Sequence, residues 1–491
     1  MSTVVAPSAT RTPAASFTPL THALDATRDA SRTGRIASID IIRGAVMVLM
    51  AIDHVRVFSG VPAGGPTPGV FFTRWVTHFC APAFIFLAGT AAYLYGEKVR
   101  DRGVLARFLL TRGAWLVLLE LTVLRFAWTF NFDYAHYALA GVIWVIGWCM
   151  ILMAGLVYLP FAAVATIGVA IIALHNVTDF YSFELARAAS TSAFSWLWQV
   201  LYFGGNIALG GGESGPQLAV LYSIVPWIGV MAAGFAFGRV MRLDADRRRR
   251  ICFTLGAAAI AGFLVLRGFN IYGDPRPWGD TARRAQAARL AARRASAQTT
   301  QPSTAGQPTG RPSGASPAPS TPSAGSAPSA GNTPGPQGTA GVAGAPAPRR
   351  QPPPTPALLQ FLGTNKYPAS LLFLLMTLGP TILLVPLLER ARGPVARVLT
   401  VFGRVPFFYY VLHIPLIHLI FVALSIARYG TVIPWLTTNH PMFVPPPPPG
   451  YTYSLPALYA ITFVAVTVLY VPCRWFASLK SRRSDRWLSY L

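Results

Sequence analysis

The chain has 491 residues, of which 53% are hydrophobic and only 12% are charged, and its formal net charge is +24. A mean hydropathy of +0.46 excludes an ordinary soluble domain and indicates a polytopic membrane protein. In a soluble protein this charge would suggest nucleic acid, but here the basic residues cluster at the ends of apolar runs, which argues against that partner. They are expected to set topology and contact anionic lipid in the bilayer, or in part to attract a polyanionic cytoplasmic substrate.

The cysteines lie singly within or beside apolar runs, at Cys80, Cys149, Cys252 and Cys473. This spacing matches neither a disulfide framework nor a metal site, so we expect packing roles and no metal. Residues 1–35 are polar and show no cleavable signal. We interpret them as a disordered cytoplasmic tail, followed by a first span that acts as its own insertion signal.

Apolar runs of about 20 residues predict about ten transmembrane helices. We place them at residues 36–58, 79–96, 108–130, 137–155, 156–174, 218–238, 251–271, 367–388, 399–427 and 453–476. The stretch 137–174 is uncharged and too long for one crossing, so it is expected to turn back between Gly155 and Pro160. The predicted fold is all-α.

Basic segments alternate with these spans. They are the N-terminal tail, 97–112, 242–250, 389–397 and 480–486. With ten helices all of them fall on one side of the membrane, and the excess of Lys and Arg assigns that side, with both termini, to the cytoplasm.

A long insert separates a first part of the predicted membrane domain, residues 36–273, from a second part, residues 357–491. The insert, residues 274–356, begins as a basic, Ala-rich stretch and continues almost wholly as Pro, Ala, Ser, Gly, Thr and Gln. Such a composition buries too little apolar surface to offset chain entropy, so we expect a disordered extracytoplasmic linker or envelope spacer. The proline run at 445–450 predicts a stiff polyproline spacer.

The first span carries ionisable side chains at membrane depth, where they are costly and usually face a protein-lined or wet interior. Arg43 and His54 are eleven residues apart. This is close to three whole turns, so both leave one face of the helix, and Asp40 joins that face. We predict a water-accessible passage with Arg43 toward the cytoplasm and His54 toward the outside.

The histidines are candidates for proton transfer. His54 can take and return a proton near neutral pH, with Asp53 orienting it, although it could instead only hydrogen-bond another helix. His78, at the outer end of the second span, is a further catalytic candidate. His413 and His418 do not share a face of the ninth span, and at least one is expected to be a packing histidine.

Arg43 cannot deprotonate, so it is expected to hold an anionic donor or to pair within a buried ionic network that includes Asp40 and Glu120. Glu120 lies in the middle of the third span, where an unpaired carboxylate would become neutral. Arg125 is an alternative partner for Glu120.

Arg107 and Arg112 stand at the cytoplasmic start of the third span. They are either topology determinants or a phosphate-binding rim for a nucleotide-like donor. The chain contains no GxxxxGK[ST], HExxH or GxSxG motif, so its sequence does not support ATP hydrolysis, a zinc protease or a serine hydrolase.

Five segments in order resemble a family of bacterial membrane proteins with a heparan-alpha-glucosaminide N-acetyltransferase-like catalytic domain. They are SIDIIRGAVMVLMAIDHV, APAFIFLAG, VPWIGVMAAGFAFG, KYPASLLFLLMTLGP and GRVPFFYYVLHIPLIH. The resemblance runs from about residue 35 to residue 476, apart from the insert. In the wider superfamily, which includes acyltransferases that modify bacterial polysaccharides, an arginine and a histidine of the first helix match Arg43 and His54. A phenylalanine-rich segment ending in Ala-Gly is matched by Phe84, Phe86, Ala88 and Gly89.

The resemblance implies transfer of an acyl group, expected to be acetyl, from cytoplasmic acetyl-CoA as co-substrate to an extracytoplasmic sugar, glycan or small-molecule acceptor. Its location would be the cell inner membrane. Lysosomal members are expected to have asparagine at the position of His54 and an acyl-handling histidine in the following loop, whereas loop 59–77 here has no histidine. This difference favours His54 as a general base in direct transfer over an acyl-histidine intermediate.

Two rival functions remain open from the sequence. One is a transporter or exporter in which Arg43, Glu120 and His54 form an ion or proton relay, although no internal repeat supports it. The other is an accessory scaffold that has kept the fold and lost activity.

Overall fold

The computed structural model describes residues 36–65, 67–181, 193–210, 215–279, 355–439, 446–483, 485 and 488. All of these belong to one unit of the chain. The predictions made for the tail at 1–35 and for nearly all of the insert, residues 280–354, lie outside the described residues.

Helices dominate the described residues. In chain order they are α1 Ala37–Phe58, α2 Pro68–Trp75, α3 Cys80–Val99, α4 Arg102–Leu119, α5 Arg125–Thr129, α6 Val142–Leu156, α7 Phe161–Leu174, α8 Ser195–Trp198, α9 Ile224–Val240, α10 Ala245–Gly268, α11 Ala357–Leu362, α12 Leu371–Leu388, α13 Pro394–Arg404, α14 Pro406–Tyr429 and α15 Leu455–Arg482. Short 3₁₀ segments occur at Val76–Phe79, His175–Tyr181 and Pro434–Thr437, and π-helical segments at Glu120–Leu124 and Gln199–Phe203. Helix is present in every predicted span.

Six helical stretches are long and apolar enough to cross a membrane by length and composition. They are Pro68–Val99, Phe161–Asp179, Ala245–Gly268, Leu371–Leu388, Pro406–Tyr429 and Leu455–Arg482. Helices α6 and α9 are apolar but shorter. The protein is therefore a multi-pass membrane protein, and the count of ten crossings stays a prediction.

Side-chain caps explain where several of these helices begin, because a free backbone N–H of the first turn needs an acceptor. The capping residues are Thr67, Asp101, Asp244, Ser370 and Ser454. The backbone N–H of Arg247 donates to the carboxylate of Asp244, and this bond lowers the pKa of Asp244.

The turn expected between Gly155 and Pro160 is present. Helix α6 ends at Leu156 and α7 begins after Pro160, whose ψ of 143° is not helical. The fold is mostly helical, as expected, and three short strands, which were not predicted, pair beyond the helix ends. They are β1 Tyr137–Ala140, β2 Gly205–Ala208 and β3 Gln217–Val220.

The sheet has the order β1-β3-β2. Strand β1 runs parallel to β3 with Tyr137 opposite Gln217, and β2 runs antiparallel to β3 with Gly205 opposite Val220. Strands β1 and β3 lie at the starts of two predicted spans, 137–155 and 218–238, because those spans were predicted from apolar content alone. The hydrogen bonds between these strands pair backbone N–H and C=O groups that would otherwise be paired within a helix.

The single ninth helix expected at 399–427 is also wrong. The chain breaks at Val405, where φ is −132° and ψ is 49°, and α14 starts at Pro406. Proline clashes with a helical conformation of the residue before it, so α13 must end there. The signal was present in the sequence as Pro406.

The connections between helices gather at two ends of the bundle. The sheet end contains residues 131–141, 175–181, 205–210, 215–223 and 355–370, and there Nε2 of His175 lies 2.7 Å from the carbonyl oxygen of Ala369. At the opposite, basic end, Arg102 donates to the carbonyl of Tyr158 at 2.9 Å and Arg248 pairs with Glu389 at 2.5 Å.

Glycines allow two helix pairs to approach backbone to backbone, as is common in membranes. A Cβ added at Gly403 of α13 would lie 1.8 Å from the carbonyl oxygen of Asp40 on α1. A Cβ at Gly234 of α9 would lie 2.0 Å from the carbonyl oxygen of Phe86 on α3. These contacts hold α1 and α3 against fixed neighbours.

Replacing Gly403 with alanine should destabilise the protein. The obstructing atom is backbone, so the helices must separate, and overpacking of this kind costs about 1–3 kcal/mol. We expect a lower apparent thermal midpoint of the detergent-solubilised chain.

The control is Gly268→Ala, since nothing lies within 4 Å of a Cβ there. If both variants unfold at the parent temperature, the close approach of α1 and α13 is not rigid.

Candidate functional site

His54 faces α14 and contacts a second histidine there. Nδ1 of His54 lies 2.6 Å from Nε2 of His413, and the two rings stack with centroids 4.8 Å apart. Nδ1 of His413 lies 2.6 Å from the carbonyl oxygen of Tyr410. A carbonyl oxygen only accepts, so Nδ1 of His413 is the donor in that bond.

These contacts assign the neutral tautomers of both rings. With its proton on Nδ1, neutral His413 accepts at Nε2, and Nδ1 of His54 must donate. Nε2 of His54 then keeps an unshared electron pair. Among the described residues nothing hydrogen-bonds to it, and the side chain of His54 is only half-buried.

Aromatic rings surround this histidine pair. The ring of His54 meets Trp128 edge to face at a centroid distance of 4.7 Å and Tyr410 at 6.4 Å. The other histidine of α14, His418, binds the carbonyl of Ala127 at 3.1 Å and stacks on Phe130. His418 is therefore the packing histidine, whereas His413 belongs to the site.

Asp53 does not orient His54, contrary to expectation. Its two carboxylate oxygens are held by Arg56 at 2.9 Å and by Arg74 at 3.0 Å. Both arginine side chains are largely buried. The arrangement ties α1 to α2, and the partner that orients His54 is His413.

A third cation lies near this carboxylate. The positive charge of Lys366 acts on Asp53 together with those of Arg74 and Arg56. The Lys366 ammonium lies 5.7 Å from the ring centroid of Tyr222 and 5.1 Å from that of Tyr367. Arg74 and Lys366 are not among the residues predicted from the sequence, because cations near the ends of spans are usually topology signals.

A cavity of about 290 Å³ opens beside these residues at the sheet end. Its lining includes Lys366, Tyr367, Ser223, Trp227, Phe203 and Gly205. Its volume is close to the lower limit of small-molecule pockets, about 300 Å³. It lies on the side of the bundle that the predicted topology places outside the cell.

His78 lies in the 3₁₀ turn before α3 and is not in contact with His54. Its buried Nδ1 has no hydrogen-bond partner among the described residues, and its ring packs against Phe373 with centroids 5.4 Å apart. The positive charges of Arg74 and Lys366 act on it. Its catalytic role stays a prediction, with no geometry that joins it to the histidine pair.

Arg43 contacts α3 instead of α14. Its Nη2 donates to the carbonyl of Leu87 at 3.0 Å, and its Nη1 lies 3.9 Å from Asp40. Between Arg43 and His54 on α1, Met47 and Met50 are buried. The two polar positions are thus separated by packed apolar side chains, which leaves the continuous wet passage a prediction.

Glu120 pairs with neither of the arginines expected for it. Its carboxyl group is 1% exposed and lies against the backbone of Gly141, and neither oxygen makes a hydrogen bond of good geometry to a described residue. Arg125 instead donates to the carbonyl of Tyr137 at 3.1 Å. Asp40 and Arg43 thus form the network without Glu120.

The two arginines proposed for the donor lie toward the basic end. Arg107 is exposed, and Arg112 is half-buried with its guanidinium 5.9 Å from the ring of Phe108. Neither the phosphate rim nor the topology role is tested by this placement. Within the described ranges no group of three or more His, Cys, Asp or Glu side chains is placed to hold a metal.

Comparison with known families relates the first half of the chain to one family. Residues 35–270 match the family described as heparan-alpha-glucosaminide N-acetyltransferase, catalytic. This part of the chain is similar to that family. The match confirms the resemblance and supports a membrane acetyltransferase, while no curated protein matches the chain.

The matched segment contains only part of the site. It includes α1 with Asp53 and His54, but it ends at residue 270, before Lys366 and His413. Contacts across the bundle complete the arrangement with α14 and the loop before α12. The pairing of His54 with His413 had no signal in the sequence, since the two are separated by 359 positions.

Asp53→Asn should act mainly on stability. Removing the carboxylate leaves Arg56 and Arg74 buried without their counter-charge, which typically costs about 3–5 kcal/mol. We expect a clearly lower apparent thermal midpoint, partly restored by adding Arg74→Gln. The exposed Asp246→Asn is the matched control. A variant that keeps its midpoint but loses turnover would instead place Asp53 in the chemistry.

Proposed function

We propose that this protein is an acetyltransferase of the cell inner membrane. It moves an acetyl group from cytoplasmic acetyl-CoA to an amine or hydroxyl of an extracytoplasmic acceptor, a sugar or glycan, with His54 as general base. The family match supports acetyl transfer, and the histidine pair supports the assignment of the base.

The observation that carries the proposal is the hydrogen bond from His54 to His413. It holds the ring in one orientation and keeps its proton on Nδ1, so the basic nitrogen Nε2 points away from His413. A base positioned by a second group in this way is the usual arrangement in acyl transfer. His413 is accordingly a positioning residue.

The transfer balances without a further reactant. Nε2 of His54 takes the proton of the acceptor group as that group attacks the thioester carbonyl carbon. The tetrahedral intermediate then loses the sulfur, and the imidazolium returns the proton to the CoA thiolate. The products are the acetylated acceptor and free CoA, and His54 is again neutral.

The two ends of the bundle support vectorial transfer. The connections that meet at the sheet end are those placed outside by the ten-helix topology, with both termini in the cytoplasm. Arg107 and Arg112 would receive the phosphates of the donor at the basic end, and Arg43 would hold the donor deeper in the bundle. Passage of the acetyl end would displace Met47 and Met50, whose unbranched side chains repack readily.

A transporter relay through Arg43, Glu120 and His54 has less support. Among the described residues no hydrogen bond or ion pair joins any two of these side chains. An inactive scaffold would not need an oriented base. In this chain the bonds from His54 to His413 and from His413 to the carbonyl of Tyr410 fix the direction of Nε2 of His54.

His54→Ala should nearly abolish turnover while the protein still folds. General-base help is worth about 10²–10⁴-fold, and this is the expected loss in kcat. The measurement is release of free CoA from acetyl-CoA by purified protein with a saturating acceptor. Turnover at the parent rate would disprove the assignment.

Two further variants refine that test. His136→Gln is the matched control, because His136 is exposed and pairs with Asp133 at 2.5 Å, away from the site. Burial would raise the pKa of Asp133, but hydrogen bonds from His136 and Asn439 outweigh it and lower that pKa. His413→Leu removes the acceptor for Nδ1 of His54, so it should reduce kcat less than His54→Ala does and change the pH profile.

Vesicle orientation should decide which side binds the donor. Inside-out membrane vesicles given radiolabelled acetyl-CoA should acetylate acceptor enclosed in the lumen, because the donor end would face the medium. Sealed right-side-out vesicles should not do so until they are permeabilised. Equal labelling in both sealed preparations would contradict transfer across the membrane.

A further inference from the structure

Lys366 is an unusual cation in this chain. It is one of only three lysines and is 7% exposed. Within the described residues its ammonium group has no carboxylate within ion-pair distance and contacts only the rings of Tyr222 and Tyr367. A buried charge without a counter-charge is costly, so a site that keeps one is suited to an anion.

The described carboxylates of the sheet end are engaged elsewhere. Asp53 is shared by Arg56 and Arg74. Asp274 lies 3.9 Å from Arg267 and accepts from the hydroxyl of Ser370 at 2.9 Å. Among the described residues Lys366 is therefore left without a carboxylate partner.

The cavity adds an independent observation. Ser223 lies in its wall, is 3% exposed, and its hydroxyl has no hydrogen-bond partner among the described residues. Lys366 lines the same cavity. Because the hydroxyl oxygen of Ser223 is itself enclosed, the group of this wall that can bind a carboxylate or phosphate in the cavity is the ammonium of Lys366.

Charged and polar groups link the wall of this cavity to the residues around His54. Arg74 interacts electrostatically with Tyr367 of the cavity wall and binds Asp53, the residue next to His54 along α1. The charge of Lys366 acts on both Asp53 and His54. The cavity wall and the residues around His54 therefore belong to one electrostatic cluster.

We propose that this cavity binds an acidic group of the acceptor, with Lys366 as counter-ion. The acceptor is then an acidic sugar that carries a carboxylate or a phosphate. This inference rests on the proposed function for its use in catalysis, but the binding itself can be tested without turnover.

The test measures binding of sugars to the purified full-length protein by thermal stabilisation at constant ionic strength. The probes are glucuronate, glucose 6-phosphate and neutral glucose. At least one acidic sugar should bind at least tenfold more tightly than glucose. Tight binding of glucuronate alone identifies a carboxylate site, and tight binding of glucose 6-phosphate alone identifies a phosphate site. Tight binding of both identifies a general anion site.

Variants assign that binding to the cavity. Lys366→Gln should weaken the acidic sugar about tenfold to a hundredfold, as expected for a lost charge-assisted hydrogen bond, and should leave glucose unaffected. Lys366→Arg should restore most of the binding, because it keeps the positive charge. The matched control is Lys98→Gln, because Lys98 is exposed and lies near the end of α3 at the basic end.

His54→Ala separates this inference from the proposed function. If that variant binds the acidic sugar as the parent does and lacks turnover, both proposals stand. If it retains turnover while Lys366→Gln loses binding, only the assignment of the base fails. Equal binding of acidic and neutral sugars, or unchanged binding in a folded Lys366→Gln variant, overturns the anion site.

Discussion

The hydrogen bond between His54 and His413 is the interaction around which the site is organised. It crosses from α1 to α14 and is continued by the bond from His413 to the carbonyl of Tyr410. Both rings then have only one consistent neutral tautomer. The ring of His54 is therefore held in a single orientation, as the proposed general base requires.

The charges around this pair fall into two groups. Asp53 neutralises Arg56 and Arg74 at the junction of α1 and α2, so these groups contribute to rigidity. Lys366 lies beside the cavity and has no carboxylate partner in the part of the chain that the structure describes. The proposed anion site depends on this second group.

Close helix packing fixes the relative positions of the helices that carry these side chains. Gly403 lets α13 approach the backbone of Asp40 on α1, and Gly234 lets α9 approach Phe86 on α3. The Phe-rich segment that resembles the acyltransferase motif is thus partly a packing surface, since Gly89 lies against the carbonyl of Met231. Such contacts depend on small residues, because lipid supplies no hydrophobic force between helices.

Apolar run length and basic flanks determined the membrane class of this protein and the approximate positions of its helices from the sequence alone. These follow from local rules, since a span must bury its own backbone and Pro160 must interrupt a helix. Only the tertiary structure determined which groups each of the candidate side chains contacts. Asp53 is adjacent to His54 in sequence but binds arginines, Glu120 pairs with no arginine of the described residues, and His413 comes from a helix 359 positions away. The reason is physical: hydrogen bonds depend on distance and direction in space, and neither is encoded in the spacing of residues on separate helices.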